Sequence, residues 1–452
     1  MITHSIIKLS QLEGAHRLDA EYYQPEYLEL IDNLDKLGAV PIREVATNPK
    51  RKFKPRKGEI FQYIEISEVD LSTGEYNKTE ILGENAPDRA QWIVQNDDVI
   101  ISTVRPIRNA VSLIRENTKN LVCSSGFAVL KPEKIEPEYL FVYLKSKPIV
   151  ELLDRKKTAT MYPAITVEDI LETKIYLGVK KFREEIINKV IEAQKELENS
   201  KSLYSQAEEL LLEELGLKDF KVNENLTYSV KLSDIKSAHR ADAEYFQPKY
   251  HNIQQKLLTK PIGFVKEEFN LIKSKNFEYK EPGEISVIKT KQVNKNAISF
   301  KVESNTSIEI ATRLNLPILI DKDVVFSSMG VGSLGKTNIF YKFEAPDKEF
   351  TIDSTLKIFR QKTRNKMLPE VLASFLNLAP MQKLIYKFIV GTSGIISIYE
   401  NDLKNLPVPI LPESTQQQIA SLVQQSHEAR KKAKELLEEA KQRVENLIEG
   451  KE

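Results

Sequence analysis

The sequence predicts an α+β protein made of two tandem α/β domains, each followed by a long helix. Three observations predict this class: an internal repeat, the same order of parts in both halves, and a narrow apolar stripe on each long helix. We expect the two helices to pair as an antiparallel coiled coil and to relate the halves by a pseudo-two-fold axis. The expected parts are a first domain with a helical opening (1–179), a central helix (180–217), a second domain (218–412) and a C-terminal helix (413–452).

The repeat is clearest at the opening of each half. AHRLDAEYYQP at Ala15–Pro25 recurs as AHRADAEYFQP at Ala238–Pro248, with nine of eleven positions identical. Further anchors recur in the same order, such as Asp98 with Asp323, while the residues between them diverge. A period above 200 residues is too long for a solenoid unit, so it indicates two copies of a whole domain.

The sequence of each half predicts the same order of secondary-structure elements. A helical opening (Asp19–Leu37; Asp242–Leu258) precedes short β-like runs, then a helix (Pro137–Asp154; Pro369–Lys387) and a proline-containing extended segment (Ile175–Gly178; Leu406–Pro412). The predicted strands are Gln62–Ile66, Val99–Val104, Ala110–Ile114 and Phe127–Leu130 in the first half, and Ile285–Lys289, Val324–Ser328, Asn338–Phe343 and Thr355–Phe359 in the second.

The closing helices carry apolar stripes at spacings of three and four. The central stripe consists of Ile186, Val190, Ala193, Leu197, Tyr204, Ala207, Leu211 and Leu215, with Ser200 as a polar step. The C-terminal stripe consists of Ile419, Leu422, Ser426, Ala429, Ala433, Leu436, Ala440, Val444 and Leu447. Such narrow seams favour pairing of the two helices, and a helix of about 35 residues is about 50 Å long. The alternative is that each helix only packs on its own domain.

Composition bounds the class of protein without revealing a partner. The 452 residues are 41% hydrophobic and 29% charged, which is ordinary for a globular chain, and 66 basic residues nearly balance 65 acidic ones. The single cysteine, Cys123, excludes an intramolecular disulfide and a cysteine-rich zinc site. We find no signal-peptide pattern and no apolar run long enough for a membrane span, so we expect a cytoplasmic protein.

The duplicated A-x-R-x-D-A-E-Y-[YF]-Q-P opening, the two variable regions and the two long helices resemble the specificity (S) subunit of a type I restriction-modification system. The resemblance covers essentially the whole chain, including the LPVPILP segment at Leu406–Pro412. It implies two target-recognition domains, each reading half of a split DNA target, with the helices setting the gap. It also implies that the catalysis belongs to partners: two methyltransferase (M) subunits and restriction (R) subunits, acting on double-stranded DNA.

No catalytic, metal or cofactor site is expected in this chain. We find no [DNS]-P-P-[YF] tetrapeptide, and the E-x-K at Glu172–Lys174 has no counterpart in the second half. Asp19 and Glu21, with Asp242 and Glu244, could be imagined as metal ligands. We instead interpret the carboxylates as helix caps and the aromatic residues beside them as packing residues. Docking of the methyltransferase subunits on these repeated surfaces is a further hypothesis.

Gly330–Thr337 matches the phosphate-loop pattern GxxxxGK[ST] and follows an apolar strand. That motif works only if a helix begins at the Lys-Thr pair, because the helix N-terminus holds the phosphate. Here an aromatic and β-branched run follows, and the duplicate loop, residues 104–109, has no glycine or lysine. We therefore interpret the segment as a strand–loop–strand corner. The enzyme alternative, an NTPase at this loop, would require nucleotide binding that depends on Lys336.

Basic residues in both halves are the candidate DNA contacts. Residues 50–57 hold six cations in eight positions, which suits phosphate contact, although a flexible basic loop is the alternative. Arginines in the 104–109 loop could hold guanine edges. The full set of candidates is Lys50, Arg51, Lys52, Lys54, Arg56, Lys57, Arg105, Arg108, Lys156, Lys157, Tyr162, Lys273, Lys275, Lys336 and Ser393. The structural alternative to DNA recognition is a duplicated coiled-coil scaffold that binds no duplex.

Overall fold

The structure is a computed structural model that describes residues 4–10, 12, 17–158, 161–220, 227–295, 297–391 and 396–451. The chain divides into two compact units. Unit 1 comprises residues 1–196 and 432–452, and unit 2 comprises residues 197–431. The division falls inside both long helices, so each unit contains one part of each helix.

The described residues of the first half alternate short strands and helices before the long central helix. The helices are α1 (Pro25–Lys36), α2 (Pro137–Lys145), α3 (Lys147–Asp154), α4 (Val167–Leu171) and α5 (Lys180–Leu215). The strands are β1 (Val40–Pro41), β2 (Ala46–Thr47), β3 (Ile60–Ile64), β4 (Thr79–Leu82), β5 (Ala90–Ile93), β6 (Val99–Ser102), β7 (Val111–Leu113), β8 (Leu121–Ser124), β9 (Phe127–Pro132) and β10 (Lys174–Ile175).

The second half follows the same plan and ends in an equally long helix. Its helices are α6 (Leu232–Ala238), α7 (Pro248–Leu257), α8 (Val265–Glu268), α9 (Ile308–Leu314), α10 (Pro369–Asn377), α11 (Ala379–Tyr386), α12 (Glu400–Lys404) and α13 (Glu413–Ile448). Its strands are β11 (Ile262–Phe264), β12 (Phe269–Lys273), β13 (Ile285–Ile288), β14 (Val293–Asn294), β15 (Ala297–Ile298), β16 (Asn305–Thr306), β17 (Asp323–Ser327), β18 (Thr337–Phe340), β19 (Glu349–Ile352), β20 (Leu356–Gln361), β21 (Ile389–Val390), β22 (Ser397–Ile398) and β23 (Pro407–Pro409).

The sheets repeat between the units as the sequence repeat predicts. Unit 1 contains an antiparallel sheet of order β2-β9-β6-β7, and unit 2 contains β12-β20-β17-β18 in the same arrangement. Val99 pairs with Leu113 on one neighbouring strand and Leu130 on the other, and its repeat partner Val324 pairs in the same way. A second sheet in each unit contains one parallel pair, β3 with β8 and β13 with β19. The predicted strands are therefore confirmed in place, with ends shifted by a few residues.

Four predicted helices are wrong in their extent, and proline explains each of them. The opening helices begin at Pro25 and Pro248, not at Asp19 and Asp242, because proline suits the first helical position, where its missing N–H costs nothing. The predicted helix Pro137–Asp154 breaks after Lys145, because Pro148 has no N–H to donate to the carbonyl of Leu144. The same break separates α10 from α11 before Pro380.

The two long helices have the predicted extent, 36 residues each, and their stripes are largely buried. Within unit 1 their segments run antiparallel, as ion pairs between Arg443 and Glu185, at 2.5 Å, and between Lys189 and Glu439, at 2.6 Å, require. Within unit 2, the hydroxyl oxygens of Ser200 and Ser426 lie 3.0 Å apart in a buried contact.

The helices also pack on the globular parts, which was the alternative interpretation. In unit 2, Ala207 and Leu211 of α5 and Val423 of α13 belong to one core together with the strands and α10. The C-terminal stripe is accordingly wider than predicted, because Val423, Leu437 and Ile448 are more buried than the neighbouring leucines. No described helix is long and apolar enough to cross a membrane.

The repeated opening forms an arginine–aspartate clamp in each unit. The Arg17 guanidinium donates two hydrogen bonds to Asp19, at 2.7 and 2.8 Å, and lies 4.7 Å from the centre of the Tyr22 ring. It also donates to the carbonyls of Lys156 and Lys157 just after α3, at 3.3 Å each. The opening is thus hydrogen-bonded to the segment that follows α3. Ala15 and His16 lie outside the described residues.

Unit 2 repeats this clamp with Arg240, Asp242 and Tyr245, and Arg240 donates to the carbonyl of Ile389. No helix begins at Asp242, so its predicted capping role is wrong; it accepts the N–H of Tyr245 at 3.0 Å within a turn. Asp19 likewise forms no side-chain cap bond, and the Arg17 guanidinium donates to both of its carboxylate oxygens. The signature is therefore structural and holds the segments that follow α3 and α11.

The clamp predicts a small, pH-dependent stabilisation. Hydrogen bonds from the arginine lower the pKa of Asp19 and Asp242, so the stabilisation is present above their unfolded pKa near 4 and is lost as the pH falls through the lower folded values. Because the pairs are partly exposed, replacing both aspartates with asparagine should cost roughly 0.2–1 kcal/mol per pair at pH 7. Denaturant unfolding should show this difference in full at pH 7 and a smaller one at pH 3, below the unfolded pKa. An equal difference at both pH values would contradict the ionic role.

Candidate nucleic-acid interface

The basic segment 50–57 is anchored to a sheet at Arg51 and Phe53. The N–H of Phe53 donates to the carbonyl of Gln91 at 2.7 Å, and the N–H of Ile93 donates to that of Arg51 at 2.8 Å. The Phe53 ring is buried, with its centre 4.7 Å from that of Phe61. The backbone of residues 51–53 therefore runs along β5, and the side chain of Lys52 between these anchors is exposed.

Five of the six predicted cations in this segment remain available for a ligand. Lys50, Lys52, Lys54, Arg56 and Lys57 are exposed, and none of their side chains has a hydrogen bond or ion pair in the described part of the chain. Five like charges on one short edge repel each other, so an anionic partner would relieve this repulsion.

Arg51 is the exception, because its guanidinium pairs with the buried carboxylate of Asp98. It also donates to the carbonyl of Ile93 at 3.3 Å. Contact with a phosphate would leave Asp98, only 2% exposed, without its counter-ion. The structure thus gives Arg51 an anchoring role in place of the predicted direct contact. Asp323 repeats this pattern in unit 2, where Arg360 holds it.

The corner between β6 and β7 presents two arginines in a fixed backbone. Arg105 is in the left-handed region, with φ of 51°, and its N–H donates to the carbonyl of Pro163 at 2.8 Å. Asn109 closes the corner and donates from its side chain to the carbonyl of Lys145 at 2.8 Å. The side chains of Arg105 and Arg108 have no polar partner among the residues that the structure describes. Arg108 is exposed, and Arg105 is half-buried.

The segment after α3 lies beside this corner, but its lysines have local partners. Lys156 donates to the carbonyl of Asp169 at 2.8 Å, and burial lowers its pKa. Lys157 pairs with Asp154 at 2.7 Å. Tyr162 is 70% exposed, in keeping with its predicted availability. Of this group, only Tyr162 presents a side chain that is open to a ligand.

The predicted DNA contacts of unit 2 are fewer and lie farther apart in the sequence. Lys273 pairs with Glu400 at 2.9 Å, and Lys275 donates to the carbonyl of Leu314 at 3.1 Å, so both have protein partners. Lys336 is half-buried and has no polar side-chain partner among the described residues. Ser393 lies outside the described residues.

The loop of Gly330–Thr337 is a strand–loop–strand corner, as predicted. Strand β18 begins at Thr337, whose hydroxyl donates to the carbonyl of Gly335 at 2.9 Å. No helix begins there to hold a phosphate group. The N–H of Gly330 donates to the carbonyl of Ile396 at 2.9 Å, so this corner lies beside the segment before β22. The β6–β7 corner contacts residues 163–164 in the same manner.

The two units have matching corners, and unit 1 adds exposed cations that have no partner among the described residues, an arrangement suited to a polyanion such as a nucleic acid. Residues 264–442 match the model of the type I restriction modification DNA specificity domain. The resemblance indicated by the duplicated opening is thereby confirmed for this part of the chain. The matched part is a DNA specificity domain of the type I restriction-modification class, which implies recognition of a DNA sequence. No curated protein sequence matches the chain.

Three solved structures align with most of the chain at low sequence identity. The HsdS subunit from Thermoanaerobacter tengcongensis is 20% identical, with a TM-score of 0.34, over 91% of this chain and 96% of that one. The type I restriction-modification S subunit from M. genitalium is 13% identical, with a TM-score of 0.37, over 91% and 94%. A chain from work on assembly and conformational transition of the type I R-M system is 20% identical, with a TM-score of 0.33, over 91% and 96%.

Proposed function

We propose that this chain is the non-catalytic subunit that selects a bipartite DNA target for partner subunits. Each half reads one half-site, the first through the 50–57 edge and the β6–β7 corner, and the second through the β17–β18 corner. Methyltransferase subunits, two in number, add the methyl group to adenine, and restriction subunits cut the DNA. The observation that carries the proposal is the set of five exposed cations in residues 50–57 that have no partner among the residues the structure describes, together with the specificity-domain match.

The two kinds of basic residue have different roles in this proposal. Cations of the 50–57 edge neutralise phosphates and fix the register on the duplex, which carries no sequence information. Arg105 and Arg108 sit on a rigid corner, where a guanidinium can bond to the O6 and N7 of guanine together. A rigid corner suits base reading because less conformational entropy is lost when the side chain binds.

Substitutions in the β6–β7 corner and in the β17–β18 corner should each change the recognition of a different DNA half-site. Replacing Arg105 and Arg108 with alanine should cost about 1–3 kcal/mol at the bases they read and relax the first half-site only. Replacing Lys336 with alanine serves as the matched variant and should affect only the second half-site. Adenine methylation mapped in cells that express each variant with its methyltransferase gives both half-sites together. Relaxation of both half-sites by either variant would contradict the division of labour.

We further propose that α5 and α13 pair along their length as an antiparallel coiled coil that sets the gap between half-sites. The antiparallel ion pairs of unit 1 and the buried Ser200–Ser426 contact of unit 2 support it, as does the equal length of the helices. A buried polar pair in an apolar seam favours one register over its neighbours.

The coiled-coil proposal predicts how the gap responds to helix length. Inserting one heptad into each helix preserves the seam and adds about 10 Å at 1.5 Å per residue. That length corresponds to about three base pairs of B-DNA. The methylated target should then keep its half-sites and gain about three base pairs of gap. Inserting four residues into one helix only is the control, which should abolish methylation because it misaligns the seams.

A further inference from the structure

A cavity of about 220 Å³ opens in unit 1 beside the basic edge. Its walls come from five separate stretches of chain, which include Asn48, Lys50, Trp92, Ser125, Phe127 and Thr166. Lys52 and Trp92 face each other across an isolated β-bridge, so the 50–57 edge is joined directly to the cavity wall. The cavity is therefore continuous with the surface proposed to follow the DNA backbone.

The lining combines an apolar floor with a few unused donors. Phe127, Val129 and Ile165 are buried residues of the floor. Trp92 is half-buried, and its indole N–H has no acceptor among the described residues, although buried indole groups usually find one. The hydroxyl of Ser125 and the ammonium group of Lys50 likewise have no protein partner in that part of the chain. Three donors around an apolar floor favour a flat ligand with acceptors on its edge.

The size of the cavity narrows the class of ligand. A volume of 220 Å³ corresponds to about seven water molecules at roughly 30 Å³ each, and drug-sized ligands usually need about 300 Å³ or more. One planar ring system fits this range. A DNA phosphate group is the alternative ligand, since it also carries hydrogen-bond acceptors. Its burial against Phe127 and Val129 would remove its hydration without enough compensating hydrogen bonds.

We propose that the cavity receives one unpaired nucleobase of the bound DNA, stacked on Trp92 and hydrogen-bonded by Ser125 and Lys50. This inference rests on the proposed DNA recognition and adds a place where a base that has left the duplex is held. Extruding a base costs least where it is unpaired or mismatched, so such DNA is the tightest ligand. The neighbouring cations Lys52 and Lys54 hold the backbone on either side of the extruded nucleotide.

Trp92 is the only tryptophan of the chain, which makes the test direct. The full chain is titrated with three duplexes: one with a single unpaired adenine, one with an abasic residue at that place, and one fully paired. Anisotropy of labelled DNA reports binding, and the emission difference between the chain and its Trp92→Phe variant reports the cavity. We expect saturable quenching by the unpaired adenine only, and about ten-fold tighter binding of that duplex than of the abasic one.

Two variants distinguish the loss of base stacking in the cavity from a general loss of folding. Trp92→Ala should lose the ten-fold preference and still bind the paired duplex, and Ser125→Val, which narrows the cavity, should do the same. Equal quenching by the unpaired and abasic duplexes, with binding intact, would overturn the cavity inference alone. Binding of none of the duplexes would overturn the proposed function. Quenching of Trp92 emission by deoxyadenosine monophosphate would support the inference, because it would show that a free nucleobase also enters the cavity. Displacement of the unpaired adenine by inorganic phosphate would show that the cavity is an anion site and would overturn the inference.

Discussion

Replacing Lys50, Lys52, Lys54, Arg56 and Lys57 with glutamine should weaken duplex binding roughly 100-fold at physiological salt, whatever the DNA sequence. Each phosphate contact contributes about 0.9 to the slope of log affinity against log salt, so the slope should fall by up to about 4–5. The reason is structural: these side chains have no protein partners in the described chain, so neutralising them removes interactions with DNA and leaves the fold untouched. The measurement is anisotropy of labelled duplex at several salt concentrations, with the methyltransferase partner present.

A matched control variant removes the same number of positive charges from a different part of the surface. Five exposed lysines on helices α1 and α5 suit this purpose: Lys36, Lys180, Lys181, Lys195 and Lys201. Their replacement with glutamine should change the salt slope by less than about one. If both variants lose affinity equally, net charge would explain the effect and the 50–57 edge would have no special role.

Replacing Arg360 with alanine should destabilise unit 2 by about 3–5 kcal/mol, because it leaves a buried charge without its counter-ion. Arg360 donates to both carboxylate oxygens of Asp323, at 2.7 and 2.8 Å, and the Asp323 side chain is only 1% exposed. Burial already raises the pKa of Asp323. Without the arginine this pKa should rise further, so the deficit should shrink as the pH falls and the carboxyl group becomes neutral.

Hydrogen exchange of the amides in β17 and β20 reports this loss within unit 2. Arg364→Ala is the matched control, since Arg364 is exposed and has no polar side-chain partner in the described residues. Replacing both Arg360 and Asp323 with apolar residues should recover much of the loss, because the buried charge is then gone. A deficit below about 1 kcal/mol in the single variant would contradict the structural role given to this pair.

Much of the fold could be predicted, because the signals are local or repeated. The long helices begin at Lys180 and Glu413, where the predicted segments begin, since their apolar period is sustained over many turns. Strands β6 and β17 were found because their apolar runs occur in both halves. Strand β8, Leu121–Ser124, was missed, although it pairs in parallel with β3 at the centre of a sheet. Its only sequence signal is a short apolar run, and its structural counterpart in unit 2, β19, was missed with it.

The candidate site could be predicted only in part, because ion pairing depends on residues distant in sequence. Arg51 resembles the cations around it, yet it pairs with Asp98, 47 positions away. The basic run alone cannot distinguish this arginine from Lys52. Trp92 was missed for a related reason: the cavity exists only where five stretches of chain meet. Its being the only tryptophan is the one signal that could have drawn attention to it.

The central claim is that this chain alone determines which split DNA sequence its system modifies. The most direct test is mapping of N6-methyladenine across a genome that carries the cognate methyltransferase genes, with and without this chain. We predict that one motif, two short half-sites around a fixed gap, is methylated only when the chain is present. Methylation of the same motif in its absence, or of an undivided motif in its presence, would contradict the claim.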